Sequence, residues 1–345
     1  MTATVERPQK PTAPPALSAR AKSRSELTSA DRVIRAFLAV AGVIPTAALV
    51  FLAVVMLRQA LPAISANGTH FFTSTKFNIG VGASNGGYGT TTVAASYGVL
   101  ALLFGTLMCS IIALVIAVPV SVAGALLLAE KVPARFQNPL GVFLELLAGI
   151  PSVVYGIWGY FTLGPFLSHN IYRWLSDVGI PWLDGRPQAT GLLTASIVLA
   201  VMIVPIIAAT TRELIRSVPT VSKEGAVALG LTSAESVRFV TIPYVRSGVV
   251  AASLLGWARA LGETIAVLII SGDGAGVPHS IFGNFYTMAA EIAGDLDAAL
   301  TDPSLMHTLG EIGLVLLVIT LITNFAGRLI TQRFGGVNLP VGAGL

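Results

Sequence analysis

Long runs of apolar residues alternate along the chain with short polar stretches. Crossing a bilayer core of about 30 Å takes about 20 apolar residues in a helix. Six runs reach that length, at residues 33–57, 97–121, 139–165, 190–211, 247–271 and 309–330. The pattern therefore predicts an all-α integral membrane protein, with six transmembrane helices in one domain of residues 33–335.

The second run is longer than one span needs, because no charged residue lies between Lys76 and Glu130. Pro119 predicts a bend within it, since proline removes a helical hydrogen bond. Residues 119–129 would then form a separate turn at the interface or along a cavity. Hydropathy leaves open whether residues 97–129 form one bent helix or two, and by itself also allows seven spans.

Composition excludes the soluble classes of protein. Apolar residues make up 54% of the chain and charged residues 11%, with a mean hydropathy of +0.79. A soluble domain carries about 25% charged residues. The chain is therefore not a cytosolic enzyme, a nucleic-acid-binding protein or a disordered chain. The single cysteine excludes a disulfide framework, and the four histidines stand at unrelated spacings, so no metal site is predicted.

Positive charges predict the orientation of the spans. Sixteen of the 21 Lys and Arg residues lie on the cytoplasmic side if the amino terminus is inside, while residues 272–308 carry five acidic residues and no basic one. Cytoplasmic loops of membrane proteins carry an excess of Lys and Arg. Both termini are then cytoplasmic. Residues 1–32 are predicted to be a disordered tail and residues 336–345 a second cytoplasmic tail.

Two outer loops, residues 58–96 and 272–308, are long. The first contains five glycines between residues 80 and 89, and both contain several phenylalanines. Two interpretations stay open for these loops. They are either ordered connectors at the membrane interface or a docking surface for an extracytoplasmic partner.

Residues 217–243, on the cytoplasmic side, predict two short helices. Pro219 suits a first helical turn, and Gly230 suits a left-handed stop. Thr232 and Glu235 have the spacing of a capping box that opens the second helix. Both helices are too short to cross a bilayer. The stretch is therefore either an amphipathic hairpin on the lipid headgroups or a surface that another protein covers.

The same stretch resembles the EAA loop of ABC importer permeases. Glu224-Gly225-Ala226, Gly230 and the run Val240-Thr241-Ile242-Pro243 match its pattern of E-A-A, three residues, Gly, nine residues and I-x-L-P, with mild exchanges. The resemblance implies the type I ABC importer permease fold, with residues 212–246 as a cytoplasmic coupling loop. Glu224, Gly225, Ala226 and Gly230 would couple this loop to an ATPase subunit.

None of the five lysines follows a glycine, so the sequence lacks a G-K-[ST] phosphate loop. The ATPase is therefore expected on another polypeptide, with ATP and Mg bound there. This chain is expected to be a non-catalytic subunit that binds no cofactor. The spans contain no H-E-x-x-H motif and no neighbouring Ser and His, which argues against an intramembrane enzyme.

The fifth predicted span carries Arg259 and Glu263, four residues apart and so on one face of a continuous helix. An arginine at mid-span costs about 2.5–3.5 kcal/mol to insert, whereas an i,i+4 pair stabilises a helix by only about 0.2–0.5 kcal/mol. The pair is therefore expected to face a polar cavity or a partner subunit; a buried structural ion pair is the alternative. A guanidinium fork fits carboxylate or phosphate oxygens, which favours an anionic substrate.

The third predicted span contains Gly149, Pro151, Gly156 and Gly159, which predict that the helix breaks or kinks at mid-membrane. Broken helices recur at the substrate sites of transporters. Ser152 and Tyr155, just after the break, are predicted to bond the freed backbone groups or to face the substrate pathway. The alternative for the glycines of this segment is close helix packing.

The segments LLAGIPSVVYGIWG and GWARALGETIAVLI resemble the permease subunits of phosphate-specific importers. Ile265-Ala266-Val267 favours the PstC-type subunit over the PstA-type subunit, which usually reads RAIGETAPL there. The resemblance covers about residues 30–335. It implies a prokaryotic cell-membrane protein that pairs with a PstA-type subunit, an ATPase dimer and an extracytoplasmic phosphate-binding protein. Inorganic phosphate would pass Arg259 and Glu263.

Three other interpretations stay open. A secondary anion transporter driven by protons through Glu263 and Arg259 would have similar spans but no EAA-like loop. An ABC importer of another oxyanion, such as molybdate or sulfate, would have both the spans and the EAA-like loop. A membrane sensor would bind an ATPase and transport nothing.

Overall fold

The computed structural model describes residues 29–334 apart from 76, 78–96, 178–181, 184, 273 and 275. The regular structure of these described residues is helical, in agreement with the predicted all-α class. Helix α1 (Ser29–Asn67) includes the last four residues of the predicted amino-terminal tail, so the helix begins earlier than expected. The rest of that tail and the predicted carboxy-terminal tail lie outside the described residues.

Long helices alternate with short ones along the chain after α1. In chain order they are α2 (His70–Thr73), α3 (Leu100–Leu126), α4 (Ala134–Ala148), α5 (Ser152–Trp158), α6 (Gly164–Leu167), α7 (Arg173–Ser176), α8 (Leu192–Arg216), α9 (Thr220–Ala228), α10 (Ser233–Ser236), α11 (Ile242–Leu261), α12 (Ile265–Ile270), α13 (Met288–Gly294), α14 (Leu296–Ala299) and α15 (Pro303–Phe334). Turns of π-helix lie at Leu127–Lys131, Gly159–Leu163, Ser168–Tyr172 and Val237–Thr241.

Within the described residues, five helices are long and apolar enough to cross a membrane. A sixth span results if the pair Ala134–Ala148 and Ser152–Ser176 is counted as one; its two parts meet at 86°. The number of spans thus agrees with the six predicted. The first, third and sixth spans run beyond the predicted bounds at both ends, the second and fourth at the carboxyl end, and the fifth at the amino end. Polar residues there continue a helix that the apolar window cuts short.

The second and fifth predicted spans differ from expectation. Helix α3 and its π turn continue without a break to Lys131, so no separate turn forms at residues 119–129. Pro119 removes only one helical hydrogen bond, and α3 packs along α8 on both sides of it. The fifth span, by contrast, is two helices, because α11 ends at Leu261 and α12 begins at Ile265.

The chain divides into two compact units, residues 1–54 and 55–345. The described part of the first unit belongs to α1, and nearly all of its side chains from residue 33 onward are exposed. Phe37 and Phe51, for example, are each 71% exposed. A helix that is apolar all round suits a lipid environment.

The main core of the second unit lies between α3, α8 and α11. Cys109, Ala113 and Ala117 recur every fourth residue on α3 and are at most 1% exposed, so the backbone of α3 can approach α8 closely. Helix α11 packs against both, and Trp257 Nε1 donates a hydrogen bond to Ser110 Oγ at 3.1 Å. These contacts fix α11 against α3 and α8 as far as Trp257, two residues before Arg259.

The outer connections are ordered by buried aromatic side chains where the structure describes them. Phe71, Phe282 and Phe285 are at most 1% exposed, and Phe77 is 7% exposed. Helices α13 and α14 of the acidic outer loop pack against α15. The buried aromatic side chains order these connections, whereas Phe72 is 54% exposed, so a docking surface stays a prediction. The glycine-rich stretch of the first outer loop lies outside the described residues.

Candidate translocation site and coupling hairpin

The third span breaks where Gly149 and Pro151 predict it. Helix α4 ends at Ala148, where Gly149 N donates to Leu146 O at 3.1 Å. Pro151 then precedes α5 with a φ of −58°. Proline is tolerated at a helix start, because the N–H that it lacks would have no helical partner there. The prediction of a broken span is confirmed.

The hydroxyl group of Tyr155 bridges this break with a hydrogen bond. Its Oη donates to Leu147 O at 2.9 Å, which satisfies one of the carbonyls that the end of α4 leaves free. The side chain is 8% exposed and lies in the main core. Ser152, the first residue of α5, is half-buried. The structure therefore gives Tyr155 the backbone-bonding role, and a place for either residue on a substrate pathway stays a prediction.

Helices α5 and α12 pack together through glycines. A Cβ on Gly156 would lie 3.0 Å from Ala266 Cα, and a Cβ on Gly159, the first residue of the π turn after α5, would lie 2.6 Å from Ile270 Cδ1. These two glycines have the close packing that was the alternative to a break or kink at each of them. Because Gly156 meets Ala266 and Gly159 meets Ile270, contacts advance in the same direction on both helices. The two helices therefore run parallel, with their amino-terminal ends on the same side.

Glu263 lies in the break of the fifth span rather than on a helix. Its side chain is 8% exposed, and its Oε1 accepts a hydrogen bond from Ala266 N at 3.4 Å, at the start of α12. A carboxylate is favourable at a helix amino terminus. The prediction that Arg259 and Glu263 share a helical face is wrong, because α11 ends at Leu261. Among the described residues, no ion pair joins the two side chains.

Arg259 lies on the side of α11 that faces away from the core. It is exposed, as are Ala251 and Leu255 at four-residue intervals before it. Gly256, on the opposite side, contacts α8 so closely that a Cβ would lie 2.7 Å from Ile207. The guanidinium has no hydrogen-bond or ion-pair partner in the part of the chain that the structure describes. An arginine in a span is costly without one, so this face requires a polar cavity or another chain.

The end of α9 has the geometry of a Schellman motif. Gly230 has a φ of +85°, its N donates to Val227 O at 2.9 Å, and Leu231 N donates to Ala226 O at 3.1 Å. A residue in this left-handed conformation is usually glycine. The predicted left-handed stop at Gly230 is therefore confirmed.

The start of α10 has a capping box. Thr232 Oγ1 accepts from Glu235 N at 3.3 Å, and the Glu235 carboxylate accepts from Thr232 N at 2.8 Å. These hydrogen bonds, first from the backbone and then from the hydroxyl group of Thr232, lower the pKa of Glu235 below its ordinary value. The predicted capping box is confirmed, and with the Schellman motif it forms the turn between α9 and α10. The prediction that the second helix is short and ends before Pro243 is wrong, because α10 continues through the π turn Val237–Thr241 into α11 as one helix, Ser233–Leu261.

The coupling hairpin, residues 220–241, exposes several apolar side chains. Val221 is 76% exposed and Leu229 is 84% exposed. Glu224 and Gly225 are also exposed, whereas Ala226 is 6% exposed and packs inward. The four residues predicted to couple the chain to an ATPase thus lie on one short helix and the turn after it. Their role in coupling stays a prediction.

Polar contacts that the sequence did not reveal tie this hairpin to the end of α3. Lys223 Nζ lies 2.6 Å from Glu130 Oε1, and their side chains are 27% and 19% exposed. Lys131 Nζ donates to Ser233 Oγ at 3.3 Å. Charge counting assigns Lys131 and Lys223 to the cytoplasmic side, but no spacing rule links residues about a hundred positions apart.

A second unforeseen cluster joins α8 to α4. Arg212 is 5% exposed, and its Nη2 donates to Gln137 O at 2.8 Å. Arg216 Nη2 donates to Gln137 Oε1 at 3.2 Å. Gly141 leaves room for the Arg212 guanidinium, because a Cβ there would meet it. The carboxyl end of α8 and the amino-terminal part of α4 are thereby held together. Among the described residues, no group of three or more His, Cys, Asp and Glu could hold a metal ion.

Comparison with known proteins agrees with this geometry. Residues 121–336 match the family described as binding-protein-dependent transport system inner membrane component. Phosphate transport system permease protein PstC 1 of Mycobacterium tuberculosis and that of Mycobacterium bovis are each 47% identical over 337 residues, which are 93% of this chain and 98% of the relative. PstC of Mesorhizobium japonicum is 35% identical over 309 residues, which are 88% of this chain and 90% of the relative.

The helical spans and the family match define a multi-pass inner-membrane permease of a binding-protein-dependent transport system. The chain belongs to the PstC family of phosphate transport system permeases. The resemblance predicted from the EAA-like loop and the two span motifs is thus confirmed, and so is the permease class.

Proposed function

We propose that this chain forms one half of the pore of an ATP-driven importer of inorganic phosphate, beside a PstA-type subunit. The relatives carry phosphate transport in their names. The observation that carries the proposal is the position of Arg259, an unpaired cation on the unpacked face of α11, next to a break in the span. Its planar fork of donors suits two phosphate oxygens at once.

Glu263 has a different role from the one expected of an ion-pair partner. It is bonded to the start of α12 and therefore holds the break in place, which leaves the Arg259 guanidinium free for the anion. Ser152 stands at the matching position, the start of α5, and offers a hydroxyl group to the same pathway. High affinity belongs to the extracytoplasmic binding protein, so Arg259 holds phosphate weakly and briefly.

The coupling hairpin is where the ATPase dimer binds. Exposed apolar side chains on a short cytoplasmic helix favour a protein partner, because covering them removes apolar surface from water. ATP and Mg bind to that partner, and this chain binds no cofactor and catalyses no reaction. The two termini and the hairpin lie in the cytoplasm, and the phosphate-binding protein docks on the opposite side.

Transport then proceeds by alternating access. The loaded binding protein docks outside, and ATP closes the ATPase dimer. The movement of the dimer reaches the pore through the coupling hairpin and turns it outward. Phosphate enters, passes Arg259, and leaves to the cytoplasm after hydrolysis.

Reconstitution of the complete complex in liposomes tests this function. We expect uptake of radioactive phosphate that requires both internal ATP and the external binding protein, and that continues when the proton gradient is collapsed. Uptake that follows the gradient without ATP would establish the secondary transporter instead. Uptake of molybdate or sulfate but not phosphate would keep the class and change the substrate, and ATP hydrolysis without any flux would indicate a sensor.

A further inference from the structure

The coupling hairpin is held to a helix from a distant part of the chain. Lys223 in α9 pairs with Glu130, and Ser233 at the start of α10 accepts a hydrogen bond from Lys131. One bond thus reaches each helix of the hairpin, and both come from two consecutive residues at the end of α3. This arrangement fixes the position of the hairpin and its direction relative to α3.

The helix that carries these two residues changes its winding just before them. Leu127–Lys131 forms a π turn, in which Val132 N donates to Leu127 O at 3.1 Å. A π turn adds one residue to a helical turn and rotates everything that follows it. Because of this rotation, Glu130 and Lys131 have a direction that an α-helix continued from α3 would not give them.

An open groove of about 480 Å³ lies between the two helices of the hairpin, with Val227 of α9 on one side and Val237 of the π turn on the other. Among the described residues that line it, Glu130 comes from the π turn after α3 and the others come from the hairpin. The ion pair with Lys223 therefore places the Glu130 carboxylate against both parts of the hairpin.

Helix α3 is well placed to receive a movement. Its small residues pack along α8 through the main core, and Ser110 accepts the hydrogen bond from Trp257 of α11. A shift of its cytoplasmic end therefore reaches the helix that carries Arg259. The pair itself is only a quarter exposed, so solvent screens it less than an ordinary surface pair.

We propose that the Glu130–Lys223 ion pair is a strut that passes the movement of the coupling hairpin to α3, so that hairpin and helix move as one body. Glu130 and Lys223 are then positioning residues for transport. The inference rests on the proposed function, because a hairpin that meets no ATPase has no movement to pass on.

Charge variants in the reconstituted complex test the strut. The variants are Glu130→Gln, Lys223→Gln and the exchange Glu130→Lys with Lys223→Glu. We expect Glu130→Gln, which lies outside the hairpin, to assemble with the ATPase and to hydrolyse ATP at the basal rate, and transport by Lys223→Gln is measured per assembled complex. Phosphate moved per ATP should fall about five-fold or more, the lower end of ordinary coupling between two sites, and the exchange should restore most of it.

Arg135→Gln is the matched control, since it removes one cytoplasmic positive charge from an exposed side chain that stacks on its neighbour Phe136. It should leave the ratio of phosphate to ATP unchanged. Wild-type ratios in both single variants would overturn the proposal. So would a charge exchange that restores nothing while the single variants are impaired, because the defect would then not arise from the pair.

A covalent link in place of the ion pair gives a second test. The variant Glu130→Cys with Lys223→Cys should be uncoupled when reduced and recoupled when a short dithiol-bridging reagent joins the two thiols. The native cysteine, Cys109, is 1% exposed and does not compete for the reagent. Loss of transport on bridging would show that the hairpin must move against α3, which contradicts a rigid strut.

The readouts separate this inference from the proposed function. A wild-type complex that hydrolyses ATP but moves no phosphate would refute the proposed substrate. The strut is then tested by the stimulation of ATP hydrolysis that the binding protein causes. This stimulation requires that movement pass from the pore through α3 and the hairpin to the ATPase. Stimulation that is lost in the single variants and regained in the exchange supports the strut, and stimulation that all variants keep overturns it.

Discussion

The two breaks in the spans and the coupling hairpin use their polar groups in opposite ways. At the breaks, Tyr155 bonds the end of α4 and Glu263 the start of α12, and Arg259 is left without a partner in the described chain. In the hairpin, polar side chains form caps and links, and apolar side chains such as Leu229 are left exposed.

Each region therefore exposes the group that its surroundings favour least. A cation in a span costs about 2.5–3.5 kcal/mol, and a large apolar side chain in water forgoes about 1.5–3 kcal/mol of burial. Each unfavourable group marks a place where something outside the chain completes the structure. Under the proposed function, an anion in the pore completes the first place and the surface of the ATPase completes the second.

The strongest test of the comparison is the loss of the exposed cation. Arg259→Ala should abolish phosphate uptake, because no other described side chain at the break carries a positive charge, while co-purification with the ATPase should stay normal. Arg259→Lys should recover only part of the uptake, since an ammonium lacks the planar fork. Uptake at the wild-type rate in Arg259→Ala would end the assignment of this residue to the pathway.

The second test concerns the turn of the hairpin. Gly230→Val should cost about 1–2 kcal/mol locally, because a residue with a Cβ is strained at a φ of +85°. The open space around this position excludes a steric clash, so the effect is on the backbone. We expect ATP hydrolysis to continue and phosphate moved per ATP to fall.

Gly225→Ala is the control for the glycine substitution. Gly225 also has open space around it, but it lies inside α9, where alanine is favoured by about 1 kcal/mol. This variant should transport normally and unfold at the same temperature or higher. A Gly230→Val complex that couples as well as Gly225→Ala would contradict the importance of the left-handed turn.

A smaller effect is expected at the break of the third span. Tyr155→Phe removes the hydroxyl donor from Leu147 O and should lower the stability of the permease by about 1–3 kcal/mol, as for a buried acceptor left unpaired. Uptake per folded complex should stay close to normal, which separates a structural role from a pathway role. Tyr160→Phe, at an exposed position of the same segment, is the control for thermal unfolding.

The smallest effect concerns the cap of α10. Thr232→Ala should cost about 1 kcal/mol of local helix stability, measured as faster amide hydrogen exchange in α10. Because the folded-state pKa of Glu235 lies below its ordinary 4.5, the stabilisation from its hydrogen bonds is complete above that value and lost as the pH falls through the lowered pKa. After correction for intrinsic exchange rates, wild-type α10 should lose protection at acidic pH, whereas Thr232→Ala should change less.

Local signals in the sequence predicted the parts of the fold that depend on neighbouring residues. The apolar runs located the spans, Gly149 and Pro151 located one break, and Gly230 with Thr232 and Glu235 located the hairpin. The same local rules failed at the fifth span. Hydropathy continues through Gly262–Thr264, so the i,i+4 rule placed Arg259 and Glu263 on a helical face that does not exist.

The sequence by itself thus determined the class, the number of spans, their orientation as a prediction, and the residues with unusual chemistry, because length, periodicity and charge are properties of the chain. The tertiary structure alone decided which charges meet. The Glu130–Lys223 pair, the Arg212–Gln137 bond and the unpartnered Arg259 depend on helices from distant segments. The small residues of α3 allow those helices to approach, and that close packing selects the side chains that face each other.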